Sequence, residues 1–205
     1  MVNKIRFFQY ISLCVLGVLF LSFQVQAGVG LSQTRIIING DTNTASISAR
    51  NNNAQPYLVS NFITEKLDTS SPPLSGMFVI TPNIFRLAPE SENTIKIQII
   101  PTNLPKDRES LYYFHSRNIP STNKNEDGIK IAMENIIKVF YRPINLAINP
   151  KEAGDKLVVK ATPNGISIEN PTPYYINLFK ITVKNETIKL NKINNMIEPF
   201  SSKNY

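Results

Sequence analysis

The chain has 205 residues, 42% of them hydrophobic and 18% charged, with a formal net charge of +7, one histidine and one cysteine. A single histidine and a single cysteine cannot assemble a His/Cys metal cluster, and the one histidine available as a base for a nucleophile, His115, lies in a run of strand character that reads most simply as a packed or partly exposed strand residue. The basic balance comes from dispersed lysines with no run interleaved with aromatics, which argues against a nucleic-acid groove and for a solvated basic surface.

Lys4 and Arg6 precede an apolar run from Ile11 to Phe23, and "VQA" at Val25 to Ala27 offers small residues for cleavage. This pattern predicts a secretory signal peptide over 1–27, cut after Ala27. The apolar run is short for a bilayer span, and no later segment is longer, so no stable membrane anchor is expected. Losing Lys4 and Arg6 lowers the formal charge from +7 to +5, and losing Cys14 leaves a chain without a disulfide. Stability must then come from core burial, even though the destination is an oxidising compartment.

From Gly28 onward the chain reads as short strands rich in β-branched and aromatic residues, separated by turn residues. Leu31 to Ile38 is followed by the turn signal "NGD". Then come "TASIS", "PYLVSNFIT", "GMFVI", "NTIKIQII" and "SLYYFHSR", with "SSPPLSG" and "TPNIF" as loops. The polar stretch "STNKNEDG" is a short connection into "GIKIAMENIIKVFYRP", Gly128 to Pro143. In that stretch Ile129, Ile131 and Met133 alternate with Lys130, Ala132 and Glu134, as in a strand with one apolar face. After Asn135 the run is almost continuously apolar, with Lys138 alone inside it. These seven strands fit an immunoglobulin-like sandwich, which uses about 100 residues.

A second group follows Pro143: "INLAI", "KLVVKA", "ISIEN", "YYINLFKITV" and "TIKL". The chemistry of an enzyme is missing from both groups. "PESEN" and "NEDG" gather carboxylates without calcium-loop spacing, no phosphate-binding glycine loop appears, and no catalytic residue, metal or cofactor is predicted.

"LPKDRESLYYF" (Leu104 to Phe114), "IKVFYRP" (Ile137 to Pro143) and "IENPTPYY" (Ile168 to Tyr175), with "QTRIIING" and "TPNIFRLAPES", resemble the periplasmic pilus chaperones. The resemblance runs from about Leu31 to about Lys203 in the family's order. It implies an all-β protein of two immunoglobulin-like sandwiches in a boomerang: a pilin-binding domain at 28–143 and a second domain at 144–205. It implies residence in the periplasm, pilin subunits as clients and an outer-membrane usher as the receiving partner.

Each odd feature of Gly128 to Pro143 acquires a role through the resemblance. Ile129, Ile131 and Met133 match the donor strand lent to an incomplete pilin sandwich. Lys138 and Arg35 match the cation pair that anchors the pilin's C-terminal carboxylate. Two cations on one carboxylate make charge-assisted hydrogen bonds and thereby fix strand register. Glu109 and Arg142 match an ion pair that sets the angle between domains. Read from the residues alone, Arg35 is a solvated strand charge, Lys138 a snorkelling one, Glu109 a surface carboxylate, and the Ile129–Met133 face part of an ordinary core. An apolar donor edge also allows self-association through that strand.

Some positions depart from the family pattern. His115 stands where asparagine is common, and Glu90 where glycine is usual after Pro89. The short connection before Ile129 resembles chaperones of rod-type pili. About 60 residues follow Pro143, fewer than the roughly 100 of a whole sandwich, so the second domain is expected to be partial, with its last strand pair absent. The competing readings are a secreted two-sandwich adhesin or carbohydrate-binding module, and an extracellular hydrolase. The first lacks tryptophan platforms and the second a nucleophile–base set.

Overall fold

The structure, a computed structural model, describes residues 28–67, 71–100, 103–122, 129–183, 185–191 and 195–205. The expected signal peptide, and 123–128 of the connection before Ile129, lie outside the described residues. Among the described residues no helix is long and apolar enough to cross a membrane.

Nine strands build the first sandwich: β1 Val29–Leu31, β2 Arg35–Asn39, β3 Thr44–Asn51, β4 Tyr57–Thr64, β5 Phe78–Thr81, β6 Ile84–Leu87, β7 Ser91–Ile99, β8 Ser110–Pro120 and β9 Met133–Arg142. One sheet has the order β1-β3-β7-β5 and the other β2-β9-β8-β4-β6. Alternation places Ile36 and Ile38 of β2, Ile95, Ile97 and Ile99 of β7, and Phe114 of β8 in the shared core, all nearly without solvent contact. The single strand predicted from Leu31 to Ile38 is in fact two. The Ser32 amide donates to the Ser48 carbonyl at 2.9 Å, so the chain leaves β3's sheet there and joins β9 in the opposite one. One strand cannot serve two facing sheets without such a break.

The "NGD" turn closes with Asn43 N–H donating to the Asn39 carbonyl at 2.8 Å. A β-carbon at Gly40 would lie 3.2 Å from the backbone of Arg142, Pro143 and Ile144, so the glycine lets the turn press against the start of the second domain. "TPNIF" reads as a loop, yet Ile84 to Leu87 pairs with β4 as an edge strand. Only the turn ahead of it, through the cis Thr81–Pro82 bond, is loop.

After Pro143 the strands are β10 Val158–Thr162, β11 Gly165–Asn170, β12 Ile176–Asn177, β13 Ile181–Val183, β14 Glu186–Ile188, β15 Met196–Ile197 and β16 Ser201–Asn204. They form a three-stranded sheet β10-β11-β16 and the pairs β12-β15 and β13-β14. Ile166, Ile168, Ile181 and Ile197 make a smaller core. "INLAI" is not a strand: Pro143 supplies no amide, Asn145 is left-handed at φ 60°, and the chain runs into a 3-10 turn at Pro150–Glu152. "YYINLFKITV" is interrupted where Phe179 stands 99% exposed between β12 and β13.

Glu90 has φ 46°, a left-handed conformation that costs a side-chain-bearing residue about 1–2 kcal/mol and glycine nothing. Glu90→Gly is expected to raise stability by about 0.5–1 kcal/mol, after the extra backbone entropy of glycine in the unfolded chain is subtracted. Urea unfolding of the two chains checks this, and an unchanged or lower midpoint would contradict it.

Candidate functional site: the cleft between the domains and its free strand

The parallel pairing of β2 with β9 sets Arg35 opposite Lys138, which puts two cations on neighbouring strands. The cleft beside them encloses about 620 Å³ and is lined by Tyr113, Glu134, Ile136 and Phe140 of the first domain and by Asn177 and Asn195 of the second. β9 lies inside its sheet, between β2 and β8. Val139 and Tyr141 enter the core, while Glu134, Ile136, Lys138 and Phe140, at alternate positions, line the cleft together with Ile137. This is why one lysine interrupts an apolar run: both faces of the strand are covered, but one covering is a cleft. Burial lowers the Lys138 pKa, and the neighbouring Arg35 lowers it further. Its Nζ donates to Asn177 Oδ1 at 2.7 Å.

The apolar face expected from Ile129 onward is present, but the strand begins only at Met133. The last β8–β9 partners are Asn118 and Met133. Beyond them Ile119 and Pro120 pair with β4 only, and Pro120 has no amide to donate, so Ile129 to Ala132 continue without a ladder. Ile129 is 93%, Ile131 69% and Met133 61% exposed. The reading of this face as ordinary core is therefore corrected.

Glu109 is also corrected from a surface carboxylate to a buried one, 4% exposed. Its Oε1 accepts from Arg142 Nε at 2.9 Å and lies 2.8 Å from Arg142 Nη2. Its Oε2 accepts from the Tyr175 amide at 2.9 Å, and its own amide donates to the Pro173 carbonyl at 2.9 Å. Burial pushes the Glu109 carboxyl upward, while the Tyr175 amide and Arg142 pull it back. The Arg142 guanidinium also lies 5.2 Å from the Tyr174 ring centre. The "ENPTPYY" turn is held for this purpose by buried Asn170. Its Nδ2 donates to the Tyr174 and Glu198 carbonyls at 2.8 and 2.9 Å, and its Oδ1 accepts from Thr172 Oγ1 at 2.7 Å.

Two immunoglobulin-like domains, a cationic cleft between them and an apolar strand left open agree with what the chain is similar to. Residues 28–147 match the family described as pili and flagellar-assembly chaperone, PapD N-terminal domain. Residues 152–205 match pili assembly chaperone PapD, C-terminal domain. The chain belongs to the PapD-type pilus assembly chaperone family. It is 36% identical to the probable fimbrial chaperone protein ElfD of Escherichia coli O157:H7, over 85% of this chain and 73% of that protein. It is 34% identical to the chaperone protein PapD of Escherichia coli, over 78% of this chain and 68% of that one. Among solved structures, the E. coli chaperone DraB superposes with a TM-score of 0.74 at 29% identity, covering 87% of this chain and 85% of that one. The SafA pilin–SafB chaperone complex of Salmonella enterica gives 0.74 at 29% identity, covering 86% and 82%.

In this family member His115 is 1% exposed and stacks on Phe62 at 4.6 Å. Thr64 Oγ1 donates its single proton to the Lys66 carbonyl at 2.7 Å. His115 Nε2, 2.9 Å from the same hydroxyl, must therefore be the donor in that contact. Neutral Nδ1 is then an acceptor without a hydrogen-bond partner, 3.6 Å from Glu134 Oε2, and Glu134 Oε1 is held by Arg117 at 3.1 Å. Burial lowers the His115 pKa below its ordinary 6.5 despite the opposing pull of Glu134. A depressed histidine pKa means that the unfolded chain takes up a proton first. Stability is full above about pH 6.5 and falls as pH drops from there toward the folded-state pKa. The stability gap between the wild-type chain and His115→Asn should shift against the wild type between pH 7 and 5, and Glu134→Gln should enlarge the shift. Parallel stability–pH curves for all three chains would contradict this.

Asn177 and Glu134 are cleft residues that the sequence does not announce. Alternation with Met133 implies a solvent-side Glu134 over a buried methionine, but the structure reverses the two: Met133 is 61% exposed, while the Glu134 side chain, 21% exposed, lines the cleft beside His115 and Arg117. Asn177 belongs to a two-residue strand with no motif of its own.

Proposed function

We propose that this chain is a periplasmic chaperone that captures pilin subunits by lending them Ile129, Ile131 and Met133. It then hands them to an outer-membrane usher for assembly. The domains are 28–143 for client binding and 144–205 as the second arm of the cleft, with export directed by 1–27. Arg35 and Lys138 receive the client's C-terminal carboxylate, and the Glu109–Arg142 pair keeps the arms at the angle that forms the cleft.

The observation that carries this reading is the exposed apolar segment from Ile129 to Met133, which leads into β9 and its cation pair. Edge strands normally blunt such a face with charge or proline. Here the face from Ile129 to Met133 is exposed, and further along the same strand the chain reaches Lys138. A client strand that ends at Lys138 and packs along 129–133 must run parallel to β9, its carboxylate fixing which side chain meets which pocket. Strand addition of this kind supplies affinity through main-chain hydrogen bonds and specificity through alternate side chains. The role is binding, with no chemical step.

Co-expression with a fimbrial subunit in the periplasm of a suitable host tests the reading. A stable one-to-one complex, with the subunit degraded when the chaperone is omitted, is expected. Subunit levels that do not respond to the chaperone would overturn it.

A further inference from the structure

We infer that Asn177, from the second domain, is a third member of the carboxylate anchor, a positioning residue that holds Lys138 ready for the client's terminus. The inference rests on the reading of Arg35 and Lys138 as that anchor and extends it across the cleft.

Lys138 sits beside Arg35 in register, and among the described residues neither forms an ion pair with a carboxylate. An ammonium so placed on a four-carbon stem has many rotamers available. What orients it is the Asn177 amide oxygen, 2.7 Å from Nζ. A neutral acceptor suits this task because it directs the ammonium without cancelling its charge. Nζ carries three donors, so two remain for an incoming carboxylate and Asn177 need not leave. Ordering the side chain in advance lowers the cost of binding.

The position of Asn177 is itself controlled. It pairs with Met196 in a ladder whose other pair contains the core residue Ile197. Two residues earlier, the Tyr175 amide donates to Glu109 Oε2. The Glu109–Arg142 pair therefore places the Lys138 acceptor as well as the domain angle, and the anchor is complete only when both domains are in this arrangement.

The test uses the full mature chain and one probe in two forms. The probe is a short synthetic peptide of alternating valine and threonine, ending either in a free carboxylate or in an amide. The wild type should prefer the free acid, and Lys138→Ala should lose the preference. Asn177→Ala should weaken free-acid binding about three- to tenfold, the size of one net hydrogen bond, without changing amide binding. Asn177→Asp should reduce the acid-to-amide ratio by more than about tenfold, because a resident carboxylate occupies Lys138 and repels the terminus. Asn177 is exposed, so thermal unfolding should be unaltered in both variants, and a purely structural role would not change the acid-to-amide ratio. An unchanged ratio in both Asn177 variants, with Lys138→Ala still losing it, overturns this inference and leaves the anchor standing. A wild type that binds neither peptide, or both equally, overturns the anchor and this inference together.

Discussion

Replacing Arg35 and Lys138 together with alanine is expected to abolish client capture while the first domain stays folded. Hydrogen bonds to a charged group contribute about 1.5–3 kcal/mol each. Losing two of them weakens binding by roughly 3–6 kcal/mol, or about 10²–10⁴ in Kd. The cost to the free protein is small, because Arg35 is exposed and Lys138 only half-buried, and neither belongs to the core around Phe114 and Val139. Removing two adjacent cations also removes their mutual repulsion, which already contributes to the lowered Lys138 pKa. Titration of a fimbrial subunit against the double variant, beside a urea-unfolding curve, measures both halves. Capture at wild-type affinity would refute the anchor role, and loss of the unfolding transition would refute the claim that the fold is spared.

A charge on the donor face should be as damaging, for a different reason. Ile131→Asp is expected to leave the free chain within about 0.5 kcal/mol of wild type, as surface substitutions usually do, since Ile131 is 69% exposed. In the complex the same side chain would enter an apolar groove. The variant forgoes about 1.5–3 kcal/mol of isoleucine burial and adds several kcal/mol for desolvating an unpaired carboxylate. No complex should then survive size-exclusion chromatography. Lys130→Ser, one residue away and on the opposite face by alternation, should change capture little. Equal losses for the two variants would mean that the segment acts through its backbone alone.

Alternation and turn chemistry make most of the first domain legible in the amino-acid order. Strands β3, β4, β7 and β8 stand out because each has one buried face over many residues, which imprints a period of two. Where that imprint is short or interrupted, the chain is harder to read. β6 hides in "TPNIF" because four residues at a sheet edge, with Ile84 exposed, carry almost no period. β1 and β2 look like one strand because a change of sheet leaves no mark beyond Ser32 to Thr34. In the second domain, two- and three-residue strands such as β12 and β15 are defined only by their partners.

Membership of the chaperone family and an all-β fold follow from the linear chain. Order and spacing of "TRIIING", "KVFYRP" and "NPTPYY" are properties of one dimension, and so is the alternating face at Ile129 to Met133. Exposure is not. Whether that face is core or open depends on where β8 turns away to pair with β4 alone, and whether Glu109 is a surface charge depends on a second domain closing over it. The cleft itself, with Asn177 reaching Lys138 across 39 residues, exists only because the sandwiches meet at an angle. Local preferences act over a few residues, whereas burial and hydrogen-bond partners are set by chain segments far apart in sequence, and only the folded arrangement specifies them.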